Sequence, residues 1–179
     1  SLSSAASDVY KRQDIIIAHN ASFDRAFVDQ FSSISPSKVW ACSINDIDWL
    51  ERGFTSSKQE LLCYWHGFYF DAHRAMNDVD ALIHLLTFET GLERPLLELI
   101  KNSNKSEFVI FAEHFKYDPV KKDILKGNKY RWNPNDRLWF KKINPDELEQ
   151  EKDWLTATIY DQEFKGRVEE IIPNNKYKL

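Results

Sequence analysis

Two short stretches of this sequence carry residues that could act on a substrate. They are His19-Asn20-Ala21-Ser22-Phe23-Asp24 and His73-Arg74-Ala75-Met76-Asn77-Asp78. Each offers an imidazole, whose pKa near neutrality suits proton transfer. Each also offers a carboxylate, a hard oxygen donor that suits a divalent cation. Taken singly, most of these residues have an ordinary structural explanation. Asp24 falls in the first turn of a helix, where free N–H groups and the helix dipole favour a carboxylate. His19 serves equally well as a hydrogen-bonded histidine at a strand end, and His73 in a loop says little. Asp78 is harder to dismiss. On a helical wheel of about 100° per residue it falls between Leu82 and Leu85, at the border of the apolar face, whereas Asp80 lies with His84 and Thr87 on the polar face. An acid at a core margin needs a partner or a metal, and one on a polar face needs only water.

The elements that must position these residues alternate between strand and helix. Ile15, Ile16 and Ile17 read as a strand buried on both faces, and Phe23, Phe27, Val28 and Phe31 then recur at helical spacing. Val39 to Cys42 is a second strand, with Ser43 placed to cap a helix carrying Ile47 and Leu50. Lys58 to Trp65 is a third helix, closed by Gly67. Ala75 to Phe88 is the clearest helix, with Met76, Val79, Leu82, Ile83 and Leu86 on one face. Leu92 to Ile100 connects onward and ends near Asn102. This alternation predicts an α/β layer structure.

The two stretches resemble the second and third motifs of the DnaQ-like (DEDDh) 3′-to-5′ exonucleases, the family of the DNA polymerase III epsilon subunit. HNASFD after an apolar strand is similar to the second motif, and HRAMND matches H-x-A-x-x-D of the third. The spacing between them and the intervening Trp40-Ala41-Cys42-Ser43 strand fit as well, and the resemblance covers about Asp14 to Thr90. It implies a ribonuclease-H-like α/β core that removes nucleotides from 3′ ends by two-metal hydrolysis. Asp24 and Asp78 would bind two divalent ions, Mg²⁺ or Mn²⁺, and His73 would deprotonate the attacking water. His19, Asn20 and Phe23 would line the nucleic-acid side of the site and shape it rather than react, with Phe23 read as core more than as a base stacker.

The sequence departs from the family at its first motif, a D-x-E on the opening strand, which has no counterpart on an apolar strand here. That motif supplies two of the four metal carboxylates. Ser3 to Gln13, SSAASDVYKRQ, resembles a sequencing-library adapter translated in frame, so residues 1–13 are read as an artefact rather than native sequence. On that reading the core, residues 14–104, lacks its N-terminal strands. If residues 1–13 are native, the chain is a degenerate relative without activity.

Residues 105–179 form a second, α+β module with tail. Phe108 to Ala112 reads as a strand. Asp118-Pro119 starts a helix that Gly127 ends. Tyr130 to Trp132 and Leu138 to Lys142 flank the turn residues Asn133-Pro134-Asn135-Asp136. A last helix runs from about Pro145 to Tyr160, giving β-α-β-β-α order. From Asp14 to Asn104 acids outnumber bases by about six; from Lys105 to Lys142 bases outnumber acids by about five. The net charge of −4 thus conceals a basic middle. There Lys121, Lys122, Lys126, Lys129, Arg131, Arg137, Lys141 and Lys142 interleave with Tyr117, Tyr130, Trp132, Trp139 and Phe140. Such mixing suits a surface that follows phosphates and stacks bases. The same pattern also fits a small aromatic core with a solvated lysine rim, and both readings stay open.

The remaining composition excludes more than it selects. No apolar run is long enough for a transmembrane helix and no signal-peptide pattern is present, so the expectation is a cytoplasmic protein without membrane contact. Cys42 and Cys63 lack metal-type spacing and are read as reduced, buried residues. The expected partner is single-stranded DNA, with RNA as the rival, in repair or proofreading beside a polymerase or repair complex. The alternatives are a DEDDh exoribonuclease and a non-catalytic nucleic-acid-binding relative.

Overall fold

The computed structural model describes residues 15–69, 75–89, 91, 93–160 and 162–178. Residues 1–13 and His73 lie outside them. The chain divides into two compact units: residues up to 105 together with 173–179, and residues 106–172. The architecture is mixed α/β with two small sheets.

In the first unit the isoleucine run forms β1 (Ile15–Ala18), paired in parallel with β2 (Val39–Cys42) so that Ile15 faces Val39 and Ala18 faces Cys42. Parallel neighbours need a crossover, and α1 (Ala21–Phe31) supplies it. Because strand side chains alternate, Ile16, Ala18, Trp40 and Cys42 meet Ala21 and Val28 on one face. Ile15, Ile17 and Ala41 pack on the other with residues of three helices. These are Leu62 and Cys63 of α2 (Gln59–Trp65), Ala81, Leu85 and Leu86 of α3 (Ala75–Thr87), and Leu99 of α4 (Pro95–Ser103). Both cysteines are free and buried.

Three expectations for this unit need correction. The helix expected after Ser43 does not form, and residues 43–53 run as turns. The short acids compete for the backbone there: the Asp46 carboxylate accepts from the Cys42 N–H at 2.7 Å, and that of Asp48 from the Glu51 N–H at 3.0 Å. On α3 the buried face is shifted to Ala81, Leu85 and Leu86, leaving Met76, Val79 and Ile83 exposed. Phe23 is not core: it is 74 % exposed, and Phe27 and Phe31 beside it on α1 are exposed too. Helical spacing identifies an apolar stripe but not whether anything covers it.

The second unit is an antiparallel sheet in the order β4-β5-β3-β6 with two helices. Its elements are β3 (Glu107–Ala112), α5 (Pro119–Gly127), β4 (Arg131–Asn133), β5 (Leu138–Ile143), α6 (Leu148–Leu155) and β6 (Arg167–Ile171). A π-helical turn, Thr156–Tyr160, prolongs α6. The Asp118 side chain caps α5 by accepting from the Val120 N–H at 2.8 Å. Ile110, Ala112, Trp139 and Ile143 of the sheet pack with Leu125, Leu155 and Ile159. The β-α-β-β-α expectation omitted β6, a strand of charged and half-buried residues with no apolar run to announce it. The tail also departs from expectation. Residues 173–178 belong to the first unit because Lys176, Asn174 and Tyr177 are anchored there. Among the described residues no helix is long and apolar enough to cross a membrane.

Candidate functional site

His19 and Ser43 sit immediately after the carboxyl ends of β1 and β2, the side on which open α/β sheets take their ligands. Ser43 is tied at every polar atom. Its N–H donates to the Ala18 carbonyl at 3.0 Å, its carbonyl accepts from the Trp49 indole at 2.6 Å, and its hydroxyl meets His19 Nδ1 at 2.7 Å. Ser43 is fully buried, so this contact orients the imidazole and does not expose a nucleophile. Burial holds the His19 pKa below its ordinary 6.5, against the Ser57 carbonyl and the Asp78 charge, which both pull it upward.

Asp78 lies in the first turn of α3 and is half-buried, while Asp80 is exposed. The Gln59 side chain donates to the Asp78 carbonyl at 2.6 Å. The stretch from Ser57 to Gln59 therefore touches His19 at one end and Asp78 at the other, and brings the two sequence stretches to one place. Asn20 turns the chain between β1 and α1 with a φ of 74°, a left-handed conformation that Asn tolerates. Asp24 follows in the first turn of α1, half-exposed, its carboxyl raised above the ordinary range by partial burial despite its own N–H.

His73 lies outside the described residues. Among the described residues no group of three or more His, Cys, Asp or Glu side chains is arranged to hold a metal ion. Asp24 and Asp78 offer two carboxylates, too few for two hard cations that each take about six oxygens. The described donor set does not by itself fit a two-metal centre. Gln162 and Glu163, part of an Asp-x-Glu in the second unit, sit in a loop rather than on a strand. No protein-family model, curated protein or solved structure matches the chain.

In the second unit the basic and aromatic residues separate into two kinds. Lys121 donates to the Ile159 carbonyl at 2.6 Å. Lys141 lies 2.7 Å from the buried Glu151, which also accepts from the Tyr130 hydroxyl and the Asn128 amide. These two cations and Tyr130 are structural. Lys126, Lys129 and Arg131 are exposed, and Lys122 sits 3.9 Å from Asp123. Trp139 is 7 % exposed and belongs to the core, whereas its cross-strand partner Trp132 is 46 % exposed. Sequence reasoning missed one alignment. On the face opposite Ile110 and Trp139, the register sets Arg131 beside Phe140, Phe140 beside Phe111, and Phe111 beside Arg167. The Arg167 guanidinium lies 4.0 Å from the Phe111 ring centre. Alternation along β3 gives the parity of Phe111, but only β6, absent from the expectation, reveals its neighbour.

Proposed function

We propose that the protein is a 3′-to-5′ exonuclease of the DnaQ-like kind with a ribonuclease-H-like core, acting on single-stranded 3′ ends. The observation that carries this reading is the convergence of His19 and Asp78. They come from the two separate family-like stretches; the Ser57–Gln59 segment links them, with Gln59 on the Asp78 carbonyl at 2.6 Å, and the Asp78 charge reaches the His19 imidazole after β1. In this reading Asp24 and Asp78 would be two of the carboxylates that hold Mg²⁺ or Mn²⁺, a donor set they do not complete by themselves. His73 would take the proton of the attacking water, and His19 and Asn20 would shape the pocket. Phe23, exposed beside Asp24, is free to stack on a base, a role the sequence reading gave less weight. The exposed part of the basic module would hold the strand.

The reading calls for a further acid pair, which the described residues do not supply. Among the described residues β1 pairs only with β2.

The test uses the chain extended upstream by an apolar strand bearing D-x-E. The protein is given 5′-labelled single-stranded DNA or RNA with Mg²⁺, Mn²⁺ or a chelator. Stepwise shortening from the 3′ end, abolished by chelation, supports the reading. Endonucleolytic cuts, shortening that survives chelation, or binding without cleavage would overturn it. Faster RNA digestion selects the exoribonuclease, and binding alone the non-catalytic relative.

A further inference from the structure

The C-terminal residues are held in a manner that a loose chain end does not require. Arg25, 1 % exposed, donates to the Lys176 carbonyl at 2.5 Å and to the Asn174 carbonyl at 2.8 Å. It also donates to the Pro36 carbonyl and the Asp29 carboxylate, both at 3.3 Å, and lies over the Trp40 ring. The Lys176 ammonium donates to the Asn102 carbonyl at 2.9 Å and lies 3.4 Å from the Asp46 carboxylate, with both side chains of the pair 3 % exposed. The Asn174 amide donates to the Ser37 carbonyl at 2.6 Å, and Tyr177 packs against the cluster of Trp40 and Cys42. An ammonium buried this deeply costs several kcal/mol unless it is matched, so the match is specific. A guanidinium on two backbone carbonyls, beside a buried carboxylate that takes a lysine, has the chemistry by which a protein grips a peptide.

The residues that grip the segment lie next to those of the candidate site. Arg25 follows Asp24 on α1. Asp46 accepts from the Cys42 N–H at 2.7 Å, and Cys42 precedes Ser43, the partner of His19. The Cys42 sulfur also accepts from the Ala21 N–H at the start of α1, at 3.4 Å.

We propose that the first unit contains a docking site for a tightly turned Asn-x-Lys-Tyr segment, filled by residues 174–177, which run from a 3-10 turn at Pro173–Asn175 into a further turn, and that its occupancy fixes α1 and the turn after β2. These are the two pieces that present Asp24 and His19. Their chemical importance rests on the exonuclease reading; the docking does not.

The test is amide hydrogen exchange on the full chain, which needs neither metal nor substrate. Lys176→Met removes the ammonium and keeps most of the stem. It also leaves Asp46 buried without a counter-charge, so Lys176→Met/Asp46→Asn is measured beside it. The expected result is exchange at residues 21–25 and 42–46 that is about tenfold faster or more, with α3 unchanged within about twofold. That tenfold corresponds to about 1.4 kcal/mol of local opening. Uniform acceleration would make the segment an ordinary part of the core and overturn the proposal, as would no change. Failure of both variants to fold would do the same. The nuclease assay can fail while this local loosening is seen, so the two readings fall separately.

Discussion

The imidazole of His19 meets the hydroxyl of Ser43 at 2.7 Å across the ends of two parallel strands, 24 residues apart in sequence. Ser43→Ala leaves a half-buried ring nitrogen without that partner and should cost about 1–2 kcal/mol. The pH dependence follows from the direction of the His19 shift. Its folded pKa lies below the ordinary 6.5, so the unfolded chain binds the proton more readily. The contribution is whole above 6.5 and is lost as pH falls through the lowered value. Urea melts at pH 7 and pH 5 should show a smaller acid-induced loss for His19→Gln than for the original chain. Equal losses would mean that His19 is not held neutral.

Nuclease activity should be negligible in the chain as it stands, because the D-x-E acid pair that the exonuclease reading requires has no counterpart on an apolar strand of the sequence. In the extended protein, Asp24→Ala, Asp78→Ala and His73→Ala should each lower turnover by about 100-fold or more. Asp80→Ala should stay near the starting rate, since Asp80 is exposed and Asp78 is half-buried two residues away on the same helix. Single-turnover digestion of a labelled strand measures all four. Equal damage from Asp78→Ala and Asp80→Ala would remove the argument from helix faces.

Local patterns made much of both units legible. The isoleucine run announces β1, Asp118-Pro119 the start of α5, and the turn residues after Asn133 the β4–β5 hairpin. The helix-face difference between Asp78 and Asp80 was also readable from spacing. What escaped depends on partners distant in sequence. Phe23 has the same helical spacing as a core residue, yet nothing described covers it. β6 is recognisable only from the strand beside it. The return of the tail depends on Arg25 meeting carbonyls about 150 residues away, which no local period encodes.

Glu151 offers a sharp stability test within the second unit. Its carboxylate is buried and takes Lys141 at 2.7 Å, Tyr130 at 3.0 Å and Asn128 at 2.9 Å. Burial, with the adjacent carboxylate second, pushes the Tyr130 hydroxyl far above its ordinary value, so it remains a donor. Glu151→Ala strands an ammonium and a phenol together and should destabilise the unit by about 3–5 kcal/mol. Glu151→Gln, which keeps the shape and the acceptor, should cost less. Thermal melts that ranked the two variants in the reverse order would show that the network does not hold the unit.

The paired tryptophans separate binding from folding in the same unit. Trp139 is core and Trp132 is half-exposed against it, their ring centres 5.4 Å apart. Trp139→Ala should cost about 3–5 kcal/mol of stability. Trp132→Ala should leave the unit folded and cost about 1–3 kcal/mol of single-strand affinity if the ring stacks on a base. Lys121 and Lys141 are engaged within the unit, so the charge test uses Lys122, Lys126, Lys129 and Arg131, each changed to Gln. If these four side chains meet phosphates, each one lost should flatten the slope of log affinity against log salt by about 0.7. Binding titrations at several salt concentrations, read beside thermal melts, measure both effects. An unchanged slope in a folded quadruple variant would withdraw the nucleic-acid role from this surface, and the fold of the unit, anchored by Glu151 and Trp139, would stand without it.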